Sequence, residues 1–121
     1  MPMNFIDPAT LQLVSRALDA GALRHQAIAQ NIANANVAGA KATRVQFEEL
    51  LGDIPADLAA GRGFKADAVP VPQVVAIADR SIALDEETAA LSSNSLQYQA
   101  LLKALSRQLS ILSLAAQEGR R

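Results

Sequence analysis

A chain of 121 residues has room for one domain, and its apolar half is carried by alanine and leucine with only 3% aromatic residues, the makeup of long packed helices. Eleven basic against twelve acidic residues leave a net charge of -1, which gives no electrostatic footprint for nucleic acid or an anionic membrane. The absence of cysteine excludes disulfides, thiolate metal sites and cysteine nucleophiles, and no run approaches the roughly 18 apolar residues of a membrane span.

The first ten residues lack the basic and apolar regions of a cleavable signal, so any export is expected to proceed without one. The first helix is expected from Pro8 to about Asn36. Asp7 suits the N-cap, Pro8 the first helical position, and Ile6 can close on Leu11 as a hydrophobic staple. A 3-4 alternation then runs Leu11, Val14, Leu18, Gly21, His25, Ile28, Ile32 and Ala35, a heptad seam that faces another helix. Glycine inside it costs on the order of 1 kcal/mol of propensity but admits a close neighbour, so Gly21 is expected to be a packing notch. His25 is the only histidine and has neither metal-ligand spacing nor a triad partner. It is expected at a helix contact.

Three asparagines, Asn31, Asn34 and Asn36, cluster where this helix runs out. Asparagine competes for nearby backbone groups and is a poor interior helix former, while Gly39 can take the left-handed conformation that ends helices. These four residues are expected to form the turn at the junction between the helix and the middle of the chain, hydrogen-bonding the backbone from Val37 to Thr43 or a neighbour's.

Residues 37 to 84 read as a turn and an irregular loop or arm. Val45 to Leu51 is a short apolar segment that could be one strand or one to two helical turns. Gly52 to Arg80 holds Pro55, Pro70, Pro72, Gly52, Gly61 and Gly63, a composition that punctuates rather than builds. Asp57 to Ala60 suits a turn of helix. Val69 to Ile77 reads as extended chain, which the two prolines demote to an edge strand or an unpaired arm. The arm is expected to be ordered mainly by contact with neighbours.

The second helix is expected from Asp85, as N-cap, to Gln117. Asp85, Glu86 and Glu87 sit where the helix dipole favours negative charge, which accounts for them better than acid/base chemistry does. A seam runs Leu84, Thr88, Leu91, Ser95, Tyr98, Leu102, Leu105, Leu109, Leu112 and Ala116. Leu101, Ala104, Ile111 and Ala115 make a second apolar line beside it. Gly119, followed by Arg120 and Arg121, is a usual stop.

The expected class is therefore mainly α: a single unit over residues 1 to 121, with two long terminal helices packed as a coiled-coil-like pair and joined by an irregular arm with little strand. Each helix buries one seam and leaves apolar surface that no third long helix can cover. Exposed contiguous apolar area marks a binding surface, and head-to-tail contacts between copies generate filaments when they do not close into a ring. The residues expected to carry helix–helix assembly are Leu11, Val14, Leu18, Ile28, Ile32, Leu91, Tyr98, Leu102, Leu105, Leu109 and Leu112. No enzyme, cofactor or metal site is expected. A soluble helical adaptor forming a small closed oligomer is the alternative from a different class.

The run Ile28 to Phe47 resembles the N-terminal signature of flagellar rod, hook and related axial proteins, roughly L-A-x-N-I-A-N-x-x-T-x-G-[FY], through Ile28, Ala29, Asn31, Ile32, Ala33, Asn34 and Gly39. Residues 82 to 112 are similar to the C-terminal helix of flagellar basal-body rod proteins. Within it Asn94, Ser95, Leu96, Gln97, Tyr98 and Gln99 look like the N-S-L-x-Y-Q run of the proximal-rod members. Where that family commonly has Thr-Pro-Gly-Tyr, this chain has Val37, Ala38, Gly39 and Ala40, so the asparagines and Gly39 are expected to hold the bend without proline or tyrosine.

The resemblance implies a structural subunit of the periplasmic rod, exported by the flagellar type III apparatus without a cleaved signal peptide and polymerising through its terminal helices. The partners it implies are copies of the chain and other rod proteins, the base adaptor, the membrane ring and the export gate, with no nucleic acid and no small-molecule substrate. It also implies that Phe47 and Leu51, a phenylalanine followed at four residues by an apolar side chain, dock at the export gate. The plainer alternative is that these two pack one turn against a helix.

Overall fold

The computed structural model describes residues 7–77 and 81–119. Two long helices pack against each other, α1 (Pro8–Ala33) and α3 (Leu84–Glu118), as the seams predict. At ~1.5 Å per residue they are about 39 and 52 Å long. Between them lie strand β1 (Thr43–Gln46), a 3-10 turn (Glu48–Leu50), the short helix α2 (Ile54–Ala59), a second 3-10 turn (Ala66–Ala68) and strand β2 (Gln73–Ala76).

Helix α1 begins as its sequence dictates. Asp7 is extended, and its Oδ1 accepts from the Thr10 N–H at 2.7 Å, satisfying one of the donors a helix N-terminus leaves unpaired. Ile6, the expected staple partner of Leu11, lies outside the described residues. The helix stops at Ala33 rather than Asn36, with Asn34 as the C-cap: its N–H still reaches Gln30 O and Asn31 O, but its own backbone has left the helical region. Gly39 adopts the left-handed conformation at φ +79° and turns the chain back.

The arm departs from expectation in where it lies. It is folded onto α1, where it builds the buried core of the chain. Ala20 and Ala27 of α1 meet Val45, Phe47, Ile54 and Val69 from the arm, with Leu13, Ala17, Leu23, Leu51 and Phe64 packed around them. The cause is a second stripe on α1, Leu13, Ala17, Ala20, Arg24, Ala27 and Asn31, lying beside the heptad seam. Its alanines let the arm approach closely, and Phe47 fills the space they leave, with 2% of its surface exposed. Burying a side chain of that size contributes about 1.5–3 kcal/mol.

Within the arm, β1 and β2 pair antiparallel with Thr43 opposite Ala76 and Gln46 opposite Gln73, and the Ile77 N–H extends the ladder to Ala42 O at 2.8 Å. Pro70 and Pro72 fall just before β2, where no ladder donor is needed. Val45–Leu51 divides between the two readings its length allowed, strand to Gln46 and a 3-10 turn from Glu48. The short helix predicted at Asp57–Ala60 starts three residues earlier, because Pro55 suits a first turn.

Helix α3 begins at Leu84, one residue earlier than predicted. Its N-cap is Ala83, without a side-chain hydrogen bond, so Asp85 is not the cap. It stands inside the first turn, where its Oδ1 accepts from the Glu86 N–H at 3.0 Å. The three carboxylates do occupy that turn, as the dipole argument expects. Gly119 ends the helix in a right-handed conformation, φ -67°.

Candidate assembly interface

The α1–α3 contact is centred on Gly21. The Tyr98 ring lies in the notch left by the missing side chain: a Cβ on Gly21 would stand 2.7 Å from Tyr98 Cδ1. One turn away, the Asn94 Nδ2 donates to Gly21 O at 3.0 Å, and Asn94 is buried to 7% exposure. Further along, Ile28 and Arg24 share a cavity lining with Glu87 and Ala90. Residue numbers therefore rise along α1 as they fall along α3, and the pair is antiparallel.

The face of α3 turned to α1 is Glu87, Leu91, Asn94, Tyr98, Leu101 and Leu105, all buried or half-buried. The predicted seam shares Leu91, Tyr98 and Leu105 with it. Leu102 falls on its flank at 44% exposure, and Leu101, assigned to the second apolar line, takes the contact instead. On α1, Gly21 and Ile28 are buried and Val14, Leu18 and Ile32 half-buried, whereas Leu11 is exposed. His25 is also exposed. It stands with Gln26, Ser95 and Gln99 on the rim of a groove of about 420 Å³ beside the Gly21–Tyr98 contact, rather than within the contact itself.

Helix α3 supplies no apolar residue to the buried core; its one buried residue is the polar Asn94. Its large apolar side chains Leu84, Leu96, Leu102, Leu109, Ile111, Leu112 and Leu114 are all exposed. Gly21 is level with the Asn94–Tyr98 turn, so Pro8 falls at about the level of Leu109 on α3, given equal rise in both helices. Past that level the inward face continues through Leu112 and Ala115 with no α1 beside it, and every residue from Ser106 to Leu114 is exposed. Leu109, at 49% exposure, lies one heptad beyond Leu102 on the same exposed flank of α3.

The turn junction is held by one of the three asparagines. Asn31, 3% exposed, donates from Nδ2 to Thr43 O at 2.9 Å and accepts at Oδ1 from the Thr43 N–H at 2.9 Å and from its hydroxyl at 3.3 Å. This amide acts as a strand partner for Thr43. Asn34 and Asn36 are exposed and make no side-chain hydrogen bond among the described residues, so of the three only Asn31 holds the bend from within the chain. Beside Asn31, Arg24 grips Glu48 through both carboxylate oxygens, Nη1 to Oε2 at 3.2 Å and Nη2 to Oε1, and Nη2 also reaches Val45 O at 3.5 Å. Burial acts to raise the Glu48 pKa, but the Arg24 hydrogen bonds and charge, with the residue's own N–H, outweigh it and hold the carboxyl below its usual range. At Asp7 the Thr10 N–H is the main cause of a similar lowering, helped by the Thr10 hydroxyl.

Phe47 lies buried in the core and Leu51 packs half-buried against it, so Phe47 is not available to a partner of the folded chain. Asn94, Arg24 and Glu48 escaped the sequence reading as site residues. Asn94 had a visible signal, an amide interrupting the apolar face at heptad spacing from Leu101. Arg24 and Glu48 had none, since a lone charge on a helix reads as solvated until a partner is placed beside it. No protein-family model matches the chain, and no curated protein matches it. Among the described residues no helix is long and apolar enough to cross a membrane, and no group of histidine and carboxylate side chains is arranged to hold a metal ion.

Proposed function

We propose that this chain is a structural subunit of the bacterial flagellar basal-body rod, of the proximal-rod (FlgB) type, exported through the flagellar type III apparatus and assembling in the periplasm through its terminal helices. The observation that carries the assembly half of this reading is the exposed apolar line of α3, Leu102, Leu109 and Leu112, which runs along the flank of the α1 contact and on past the start of α1. Exposed contiguous apolar surface on a long helix is a binding surface, and a seam continuing a helix–helix contact is shaped for another helix. The flagellar half rests on the resemblance at Ile28–Gly39 and Asn94–Gln99. The partners are then copies of the chain, other rod proteins, the base adaptor, the membrane ring and the export gate. Because the folded chain buries Phe47, a gate that reads Phe47 and Leu51 reads them before folding.

The test uses Leu102→Asp together with Leu109→Asp. Both side chains are exposed in the subunit, so synthesis, export and the monomer's helix content are expected to persist. Electron microscopy of basal bodies from the variant strain, and from a strain lacking the protein, is expected to show rods missing. Complete rods in both strains would overturn the flagellar assignment; rods missing only in the deletion strain would move the assembly surface off this face. A discrete closed oligomer of the purified chain, in place of a monomer that polymerises with partners, would favour the adaptor reading.

A further inference from the structure

The α3 face that meets α1 repeats with a heptad period, and most of its apolar members, Leu91, Leu105 and Leu112 among them, do not say which heptad belongs where. Displacing α3 by seven residues toward its own N-terminus would carry Leu101 to the place of Asn94 and Leu105 to that of Tyr98. It would bring Leu112 to the position Leu105 now holds and Gln108 to that of Leu101. Such a displacement covers part of the apolar surface that the observed arrangement leaves in water and keeps leucines at three of the contact positions, those of Asn94, Tyr98 and Leu105. Apart from Leu101, whose place Gln108 would take, two contacts distinguish the observed register: the Asn94 amide on Gly21 O and the Tyr98 ring in the Gly21 notch. In the displaced register Leu101 offers no donor to that carbonyl.

We infer that Asn94, seated on Gly21, is the residue that fixes the register of α3 on α1. A buried amide at a helix contact costs little when its partner is present and is penalised when the partner is an apolar side chain, so it discriminates between registers that apolar residues treat alike. Gly21 contributes twice, by exposing its carbonyl at the contact and by admitting the Tyr98 ring. The tie concerns a single subunit and holds whether or not the chain assembles.

The chain contains no cysteine, so spin labels at Ala29→Cys and Ser110→Cys, both exposed positions away from the contact, report the register directly by pulsed electron–electron distance measurement. The otherwise unaltered chain is expected to give one distance. Asn94→Leu is expected to add a population shorter by about 10 Å, seven residues at ~1.5 Å each. Moving the amide one heptad, with Asn94→Leu and Leu101→Asn together, is expected to make the shorter distance the main one. Unchanged single distances in both variants would overturn the inference, and so would loss of helical circular dichroism in both, since a residue that only selects between registers is dispensable for the helices. Gly21→Ala, which retains helix propensity and fills the notch, provides the control: it is expected to broaden or shift the distance while keeping the helical signal.

Discussion

Two buried polar side chains organise this molecule, and both are asparagines. An amide presents a donor and an acceptor in one plane, and Asn31 uses both on the Thr43 peptide unit, as a paired strand would. Removing it strands a buried N–H and a carbonyl together. Asn31→Ala is therefore expected to cost about 2–4 kcal/mol, read as a lowered urea midpoint, while Asn34→Ala and Asn36→Ala stay within about 0.5 kcal/mol as exposed substitutions. Equal effects at the three positions would refute the division of roles. Glu48 yields a second prediction at this scale. Its folded pKa lies below the ordinary 4.5, so in the interval between the two values the unfolded chain binds more protons. The stabilisation is complete above 4.5, fades as pH falls, and is gone below the folded value. Glu48 is mostly exposed, which keeps the contribution under about 1 kcal/mol. Glu48→Gln is expected to flatten that part of the acid limb in a series of unfolding curves from pH 6 to pH 3; an unaltered limb would mean the Arg24 pair contributes nothing.

At the scale of elements, what was legible in the sequence was whatever local chemistry fixes. The start of α1 at Asp7–Pro8, the notch at Gly21 and the left-handed Gly39 each derive from one residue's backbone or side-chain chemistry, and each is found. The arm was harder. Its partner on α1 is a stripe dominated by Ala17, Ala20 and Ala27, and alanine is counted as helix former before it is counted as contact. An alanine stripe marks close approach only once the approaching bulk, here Phe47 and Ile54, is known to return to it. The α3 seam failed in a related way. Leu101 and Leu102 fit the 3-4 alternation equally well, and only the position of α1 decides that Leu101 packs while Leu102 faces outward. The expected cap at Asp85 missed because Leu84 extends the helix by one residue, leaving the carboxylate to serve the first turn from within. The two asparagines that face solvent, Asn34 and Asn36, looked equivalent to Asn31 because spacing alone does not reveal which side of a fraying helix the returning chain will take.

At the scale of the whole molecule, stability is unevenly distributed, and that unevenness makes the assembly reading testable without a flagellum. The core joins α1 to the arm, while α3 is held along one face and contributes no apolar residue to the buried set. Local opening costs least where few apolar contacts are buried. In the isolated chain, amide hydrogen exchange is expected to be slowest over Ala20–Asn31, intermediate over Leu91–Leu105, and fastest from Ser106 to Glu118, where the helix meets only the first turn of α1 and then runs past it. Association through the overhang would reverse the last of these: raising the protein concentration, or adding the neighbours it polymerises with, is expected to slow exchange from Ser106 onward while leaving Ala20–Asn31 unchanged. If that stretch were instead as protected as α1 in a dilute monomer, the overhang would be covered within the chain, and the apolar seam would lose its role as a surface for a second subunit. If it stayed unprotected in an assembled state, subunits would be meeting through another face, and the exposed line of Leu102, Leu109 and Leu112 would need a different occupant.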